Sequence, residues 1–450
     1  MHLHTGGRSG AGRADPRAGR SGAQALRATG RGLSKIVGFG LSMLLLAVAS
    51  LVAIPSMVAA SGPRAWGMIA AGQAVGAVAA VAVAYGWGMS GPATIARADL
   101  KGRLSEYAES VVCELLIFVP VGIIAFGLAW LIGRDYGLYA GVGALSTTSV
   151  GLTANWFFIG RAQPYALLIG ETLPRVAGTL VGIMFMASGS TALIGVLWQL
   201  IGMLAAFVIC TLWILRPWNA LHRRSVSRRS VKTVLWAQRH GLTATLVSAV
   251  YSAAPITIVT LAAPGVQPVY AVLDKVQRQV NAGLSPFTVV MQGWIPRAAR
   301  AALSTRIRQA MALSVVFALA LAAFMLLIAQ DLMHWLGGGQ IEPGFVALVL
   351  MSAITGVYLF ENIVAKAALP ALGELGVAAK ASIVGMAVGL PLVAVGAVLL
   401  GAEGALAGIL VGILVRLSIE LYAVRAARRP GAADDEVADG EVAGMGMDAT

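Results

Sequence analysis

The sequence predicts an all-α polytopic membrane protein with twelve transmembrane helices in two six-helix lobes. Three observations predict it. Of the 450 residues, 58% are hydrophobic and only 12% charged, about half the charge of an average soluble domain. Apolar runs of about 20 residues, the length of a bilayer-spanning helix, recur from residue 36 to residue 424. Of the 33 Lys and Arg, 27 fall in the two tails and every second loop, counting Lys366 and Lys380 at span ends beside such a loop. Two, Arg64 and Arg134, fall in the alternate loops, and four, Arg175, Lys275, Arg278 and Arg416, within the runs. Such asymmetry places the charge-rich side in the cytoplasm. Both termini are then cytoplasmic, which requires an even number of helices. The net charge of +13 follows from this bias, so no nucleic-acid partner is expected.

Residues 1–33, rich in Gly, Ala and Arg with no apolar run, are expected to form a disordered basic tail. Residues 34–214 hold six spans, near 36–58, 66–88, 110–132, 136–157, 166–187 and 191–214. Turn residues in SGPRAW (61–66), GRDYG (133–137) and SGS (188–190) separate them. Residues 215–240 form the longest tail-side loop, with seven positive charges, and read as a linker lying on anionic headgroups. Residues 241–425 hold six more spans, near 241–263, 267–293, 309–330, 344–366, 378–400 and 403–424, cut at APGVQP (263–268) and GAEG (401–404). Residues 426–450, acidic and without aromatics, read as a disordered tail. The halves are weakly repeated: Gly86-Trp87 and Gly293-Trp294 are 207 residues apart, as are Asn155 and Asn362.

The span 267–293 is the most polar. Each charge in a bilayer costs several kcal/mol unless it faces protein or water. Here Asp274, Lys275, Arg278, Gln279 and Asn281 crowd one half of the helix. Asp274 and Arg278 are four apart, share a face and can pair, with Asn281 continuing that face. Lys275 then supplies an excess positive charge. Arg, as a bidentate fork, and Lys, as a point charge, suit a phosphate or pyrophosphate. Glu171 and Arg175, also four apart, put a second pair in the fifth span. Asp274 and Glu171 are the acids placed to carry a coupling proton or Na⁺, or to act only as ion-pair partners. Arg416 and Glu420 read as a structural pair, and Gln73, Glu114, Gln199 and Glu361 as isolated polar groups. The aromatic residues of AYGWG (84–88) and NWFFIG (155–160) read as an interfacial belt.

No catalytic signature is present, and none of the five His is paired at a metal-ligand spacing. Cys113 and Cys210 lie in apolar runs as packed thiols. Neither an enzyme activity nor a cofactor or metal is expected. The preference for Arg over Lys, 27 against 6, with abundant Ala and Gly, points to a bacterial source.

Three stretches, AWGMIAAGQAVGAVAAVAVAYGWGMSGP (65–92), NWFFIGRAQP (155–164) and APITIVTLAAPGVQPVYAVLDKVQRQVNAGLSPFTVVMQGWIPR (254–297), resemble the polysaccharide and O-antigen flippases. These belong to the multidrug/oligosaccharidyl-lipid/polysaccharide exporter superfamily. Pro255, Tyr270 and Pro296-Arg297 fit that pattern, and the resemblance spans about residues 34–425. It implies two lobes around a central cationic cavity. The implied activity is alternating-access flipping of polyprenyl-pyrophosphate-linked oligosaccharide to the outer leaflet of a bacterial cytoplasmic membrane. Polysaccharide polymerases or other assembly proteins would be partners. Arg278, Lys275, Arg175, Gln279 and Asn281 would line the cavity. The drug/cation antiporters of the same superfamily are the alternative, although spans 36–58 and 241–263 lack the acid those proteins use. A major-facilitator sugar porter fails at 90–106, where SGPATIARADLKGRLSE lacks the expected loop motif. A non-transporting envelope scaffold would leave the intramembrane charges without a purpose.

Overall fold

The computed structural model describes residues 16–216, 230–295 and 300–427. Among these the regular elements are helices. In chain order they are α1 (Pro16–Ala84), α2 (Trp87–Arg97), α3 (Leu100–Gly133), α4 (Gly137–Thr148), α5 (Asn155–Gly160), α6 (Pro164–Leu167), α7 (Leu173–Ala187), α8 (Ala192–Leu215), α9 (Val231–Ala262), α10 (Gln267–Trp294), α11 (Arg300–Gly337), α12 (Phe345–Ile363), α13 (Leu369–Ala371) and α14 (Leu375–Ala426).

Seven helical stretches are long and apolar enough to cross a membrane. Three of them, Gly38–Arg97, Leu100–Gly160 and Gly376–Ala426, run to 60, 61 and 51 residues, far beyond the ~20 needed for one crossing. Each reverses once. In α1 the reversal is at Gly62 (φ 82°), and in α14 at Gly401 (φ 66°). Left-handed φ is open to glycine at little cost, which explains the residue at both points. Between α3 and α4 the reversal is the turn Arg134–Tyr136. The arms of α14 then run antiparallel, Gly396 against Gly404, so close that a side chain on either would strike main chain. Adding α9, whose apolar stretch Ser248–Ala262 is shorter, and α10, with its charged face, gives the twelve passes. Large apolar side chains such as Ile123, Leu131, Leu327 and Leu399 are exposed on the outside, a surface made for lipid rather than water. The protein is a multi-pass membrane protein.

Two π-helical turns, Leu168–Thr172 and Val364–Ala368, each lie just before a proline, Pro174 and Pro370. A proline ring crowds the carbonyl four residues back, and the wider turn relieves the clash.

The two ends of the bundle pack differently. Both tails leave from one end, here the tail end. At the far end a single core joins the halves, with Trp66, Ile69 and Val196 beside Tyr270, Leu273, Met333 and Leu406. At the tail end there are two cores. One holds Trp87, Tyr107, Trp156 and Cys210 with Val234 of α9. The other holds Ile307, Ile363, Leu369 and Val424. The halves thus share one core at the far end and pack as two cores at the tail end, where the first core also takes in the start of α9.

The sequence reading needs four corrections here. Residues 16–33, expected to be disordered, extend α1. Ala and Arg are strong helix formers, and elongation from an existing helix avoids the nucleation penalty. The fourth pass is not continuous: a tight turn at Ser149–Leu152 separates α4 from α5. Trp87 and Trp156 are buried rather than interfacial. Trp87 Nε1 donates to Glu106 Oε1 at 3.2 Å, and Trp156 packs against Tyr107 and Phe157. The linker expected at 215–240 is helical from Val231 onward. Residues 1–15 of the first tail, 217–229, 296–299 with Pro296-Arg297, and 428–450 lie outside the described residues.

Candidate functional site: a cationic cavity between the lobes

A cavity of about 530 Å³ lies between the lobes, walled by both arms of α1, by α7 and α8, and by α9 and α10. The charge comes mainly from α10. Asp274 and Arg278 sit one turn apart, so their side chains meet. Arg278 Nε donates to Asp274 Oδ2 at 2.6 Å, Nη1 to Ser252 Oγ at 2.8 Å and Nη2 to the Ser252 carbonyl at 2.6 Å. Ser252 belongs to α9, so Arg278 is held within its own lobe.

Lys275 turns toward the other lobe, where Nζ donates to Gln73 Oε1 on α1 at 2.9 Å. Gln279 Nε2 donates to Ser50 Oγ on the first arm of α1 at 3.5 Å. Gln267 donates its amide to the Gly67 carbonyl. These three residues, eight and four apart, form one face of α10 against the first lobe. From that lobe Arg175 reaches the cavity, and its Nη1 lies 2.9 Å from Glu171 Oε1. Glu171 is buried on the π-helical turn.

Five of the residues singled out by sequence therefore share one cavity wall: Arg175, Asp274, Lys275, Arg278 and Gln279. Glu171 stands behind Arg175. Asn281 is not on this wall. It lines a separate cavity of about 250 Å³ with Tyr358, Asn362 and Lys366. Three residues beyond Arg278 is 60° short of a full turn. Asn281 accordingly joins the strip of Gln277, Leu284 and Thr288, and Gln277 Nε2 donates to the Met351 carbonyl of α12. Sequence reasoning missed four polar residues of this region. Gln73 and Gln199, which it left as isolated groups, line the cavity beside Ser50, and Ser252 orients Arg278. An uncharged polar residue in an apolar span was the only signal.

A second ionic cluster lies within the C-terminal lobe. Arg416 Nη2 is 2.5 Å from Glu361 Oε1 and its Nε 3.0 Å from Glu420 Oε1. Both carboxylates are buried and neither lines the cavity.

No protein-family model matches the sequence, and no curated protein matches it. Solved structures do match. An inward-facing multidrug resistance MATE family transporter of the MOP superfamily aligns at TM-score 0.64 with 14% identity, covering 87% of this chain and 100% of that one. An outward-facing structure of the same description aligns at 0.53, with 14% identity and coverage of 88% and 96%. A eukaryotic MATE transporter aligns at 0.50, with 14% identity and coverage of 88% and 98%. The fold is that of the MOP-superfamily transporters. Its two six-helix lobes are those expected from the sequence.

Proposed function

We propose that this protein is an alternating-access transporter that flips polyprenyl-pyrophosphate-linked oligosaccharide from the inner to the outer leaflet, for cell-surface polysaccharide synthesis. The observation that carries this reading is the charge on the cavity wall. Arg175, Lys275 and Arg278 face Asp274, with Glu171 behind Arg175: three cations against two carboxylates, an excess of one positive charge. Such a wall suits an anion, and a pyrophosphate offers acceptors to both guanidinium and ammonium. Leu46, Ile54 and Met57 on the same wall suit the apolar part of an amphiphile. The loop charge asymmetry assigns the tail end to the cytoplasm, so the cavity opens on that side of a bacterial cytoplasmic membrane. Opening to the other side requires the contacts from Gln267 and Lys275 to α1 to break. Asp274 and Glu171 are the acids in reach that would couple this to H⁺ or Na⁺. Polysaccharide polymerases and assembly proteins are the partners such a flippase would serve.

A second reading, drug/cation antiport, is favoured by one observation: the matched structures include multidrug transporters. A cationic drug would need a free acid, and Asp274 is already paired with Arg278. The two readings separate on ligand charge. Purified protein should be stabilised to heat by a polyprenyl pyrophosphate, and Arg278→Gln should remove that stabilisation while the variant stays folded. Stabilisation by a lipophilic quaternary ammonium that depends on Asp274, with none by the pyrophosphate, would replace flipping with antiport.

Orientation has its own test. Cys113 and Cys210 are buried and can be replaced. Single cysteines at Ser227 and Gly338 should then react oppositely with an impermeant thiol reagent on intact cells, Gly338→Cys labelling and Ser227→Cys not. Labelling of Ser227→Cys without lysis would invert the topology.

A further inference from the structure

A second pocket, about 220 Å³, opens at the tail end of the N-terminal lobe, where α3 begins and α5 and α8 end. Three arginines line it, Arg103, Arg161 and Arg216, together with Gln163. No carboxylate is among its lining residues. The nearest acids in sequence are engaged elsewhere: Asp99 accepts from the Gly102 N–H at 2.9 Å, and Glu106 from Trp87.

The local chain builds this concentration of charge. Arg103 is tethered by its Nε, which donates to the Ile95 carbonyl at 2.8 Å. Arg161 and Gln163 flank Ala162, whose φ of 51° is a left-handed conformation rare for a residue with a side chain. Backbone bonds from Ala162 to Ile159 and from Gln163 to Phe158 hold the turn closed. Three like charges in one pocket repel one another unless a counter-charge joins them.

We infer that this pocket binds the phosphate of an anionic phospholipid in the leaflet at the tail end. The position selects a lipid over a soluble anion. Trp213, on the pocket rim, is 45% exposed. It continues the exposed apolar face of α8, with Leu204, Val208 and Leu212. An acyl chain lying on that face would bring its headgroup to the arginines. Tryptophan at such a boundary is a common mark of the headgroup level. The site is distinct from the inter-lobe cavity and does not rest on the transport reading.

The test uses the full-length protein, stripped of lipid in neutral detergent and titrated with phosphatidylglycerol or phosphatidylcholine under native mass spectrometry. One phosphatidylglycerol should be held at least about tenfold more tightly than phosphatidylcholine. Arg161→Gln with Arg216→Gln should weaken that molecule by about tenfold or more, the scale of one or two charged hydrogen bonds. Arg223→Gln with Arg224→Gln, removing the same charge from the linker, should leave it in place. Arg278→Gln should leave it in place too, which keeps this outcome separate from that of the cavity. If the glutamine pair does not fold, Arg161→Lys with Arg216→Lys takes its place, with an intermediate affinity expected. Equal affinity for the two lipids, or equal loss in the linker control, would overturn the inference. So would displacement of phosphatidylglycerol by millimolar inorganic phosphate, which would make this a free-anion site.

Discussion

Arg278 and Arg416 look alike in the sequence and differ in the structure. Each lies four residues from a carboxylate on its own helix, and the pairs close to 2.6 Å and 3.0 Å. Arg278 stands on the wall of the inter-lobe cavity, with about a third of its side chain exposed. Arg416 is enclosed in one lobe and bridges two carboxylates. An ion pair beside a cavity can exchange its partner for water or a ligand. A sealed one cannot, because opening it strands charge in a medium of low polarity. Helical spacing reports that two residues can meet; access to solvent decides whether the meeting is structural or available to a substrate.

The contrast can be broken most severely at Arg416. Arg416→Gln leaves Glu361 and Glu420 buried without their shared cation, a loss of about 3–5 kcal/mol. The expected result is little folded protein after detergent extraction, followed by gel filtration and thermal unfolding. Adding Glu361→Gln and Glu420→Gln should restore most of the yield. A stable, monodisperse Arg416→Gln single variant would show that the cluster is not a structural requirement.

At Arg278 the loss should be smaller and the functional effect larger. Arg278→Gln leaves Asp274 beside a hydrated cavity, for about 1–3 kcal/mol. On the proposed flippase reading, glycan export should nevertheless stop, and Arg278→Lys should recover it only in part because the planar fork is lost. Combining Asp274→Asn with Arg278→Gln should regain stability. Export by that double variant then sharpens the comparison. A stable double variant that exports at the wild-type rate would make the α10 pair as purely structural as the one at Arg416, and would remove the coupling role of Asp274.

The smallest effect is expected at Lys275. Lys275→Gln replaces the ammonium bonded to Gln73 with a neutral amide, and should lower stability by about 1 kcal/mol or less. The bond crosses between lobes, so its loss should also shift the population toward opening at the far end. Spin labels on the two lobes at that end would report the change as a longer separation. An unchanged distance distribution would confine Lys275 to the cavity wall.

Much of this architecture was legible because membrane helices write themselves plainly. Apolar runs of span length, interrupted by Gly62, the turn at Arg134–Tyr136 and Gly401, gave the passes and the division into lobes. The charged face of α10 was equally plain, since Asp274, Lys275 and Arg278 fall within five successive residues. What could not be read were contacts made across long separations. Lys275 and Gln73 are 202 residues apart and Gln279 and Ser50 are 229 apart, and no periodicity connects them. Glu361 joins Arg416 for the same reason. Asn281 was misplaced because two adjoining strips of one helix differ by only 60°. Trp87 and Trp156 sit where a belt would sit, but α2, α5 and the first turns of α3 close over them.

The single-residue reversals at Gly62 and Gly401 have a consequence for how the molecule meets its surroundings. Helix resumes at once on either side, so neither hairpin offers a loop beyond the bilayer. The remaining far-end connections are the turn at 134–136, the segments 188–191 and 263–266, and the stretch 338–344. A protease, an antibody or a partner protein approaching from that end would find almost nothing to grip. Proteins that recognise this one from there would have to read the 338–344 segment, or approach sideways through the membrane and dock on its lipid-facing flanks.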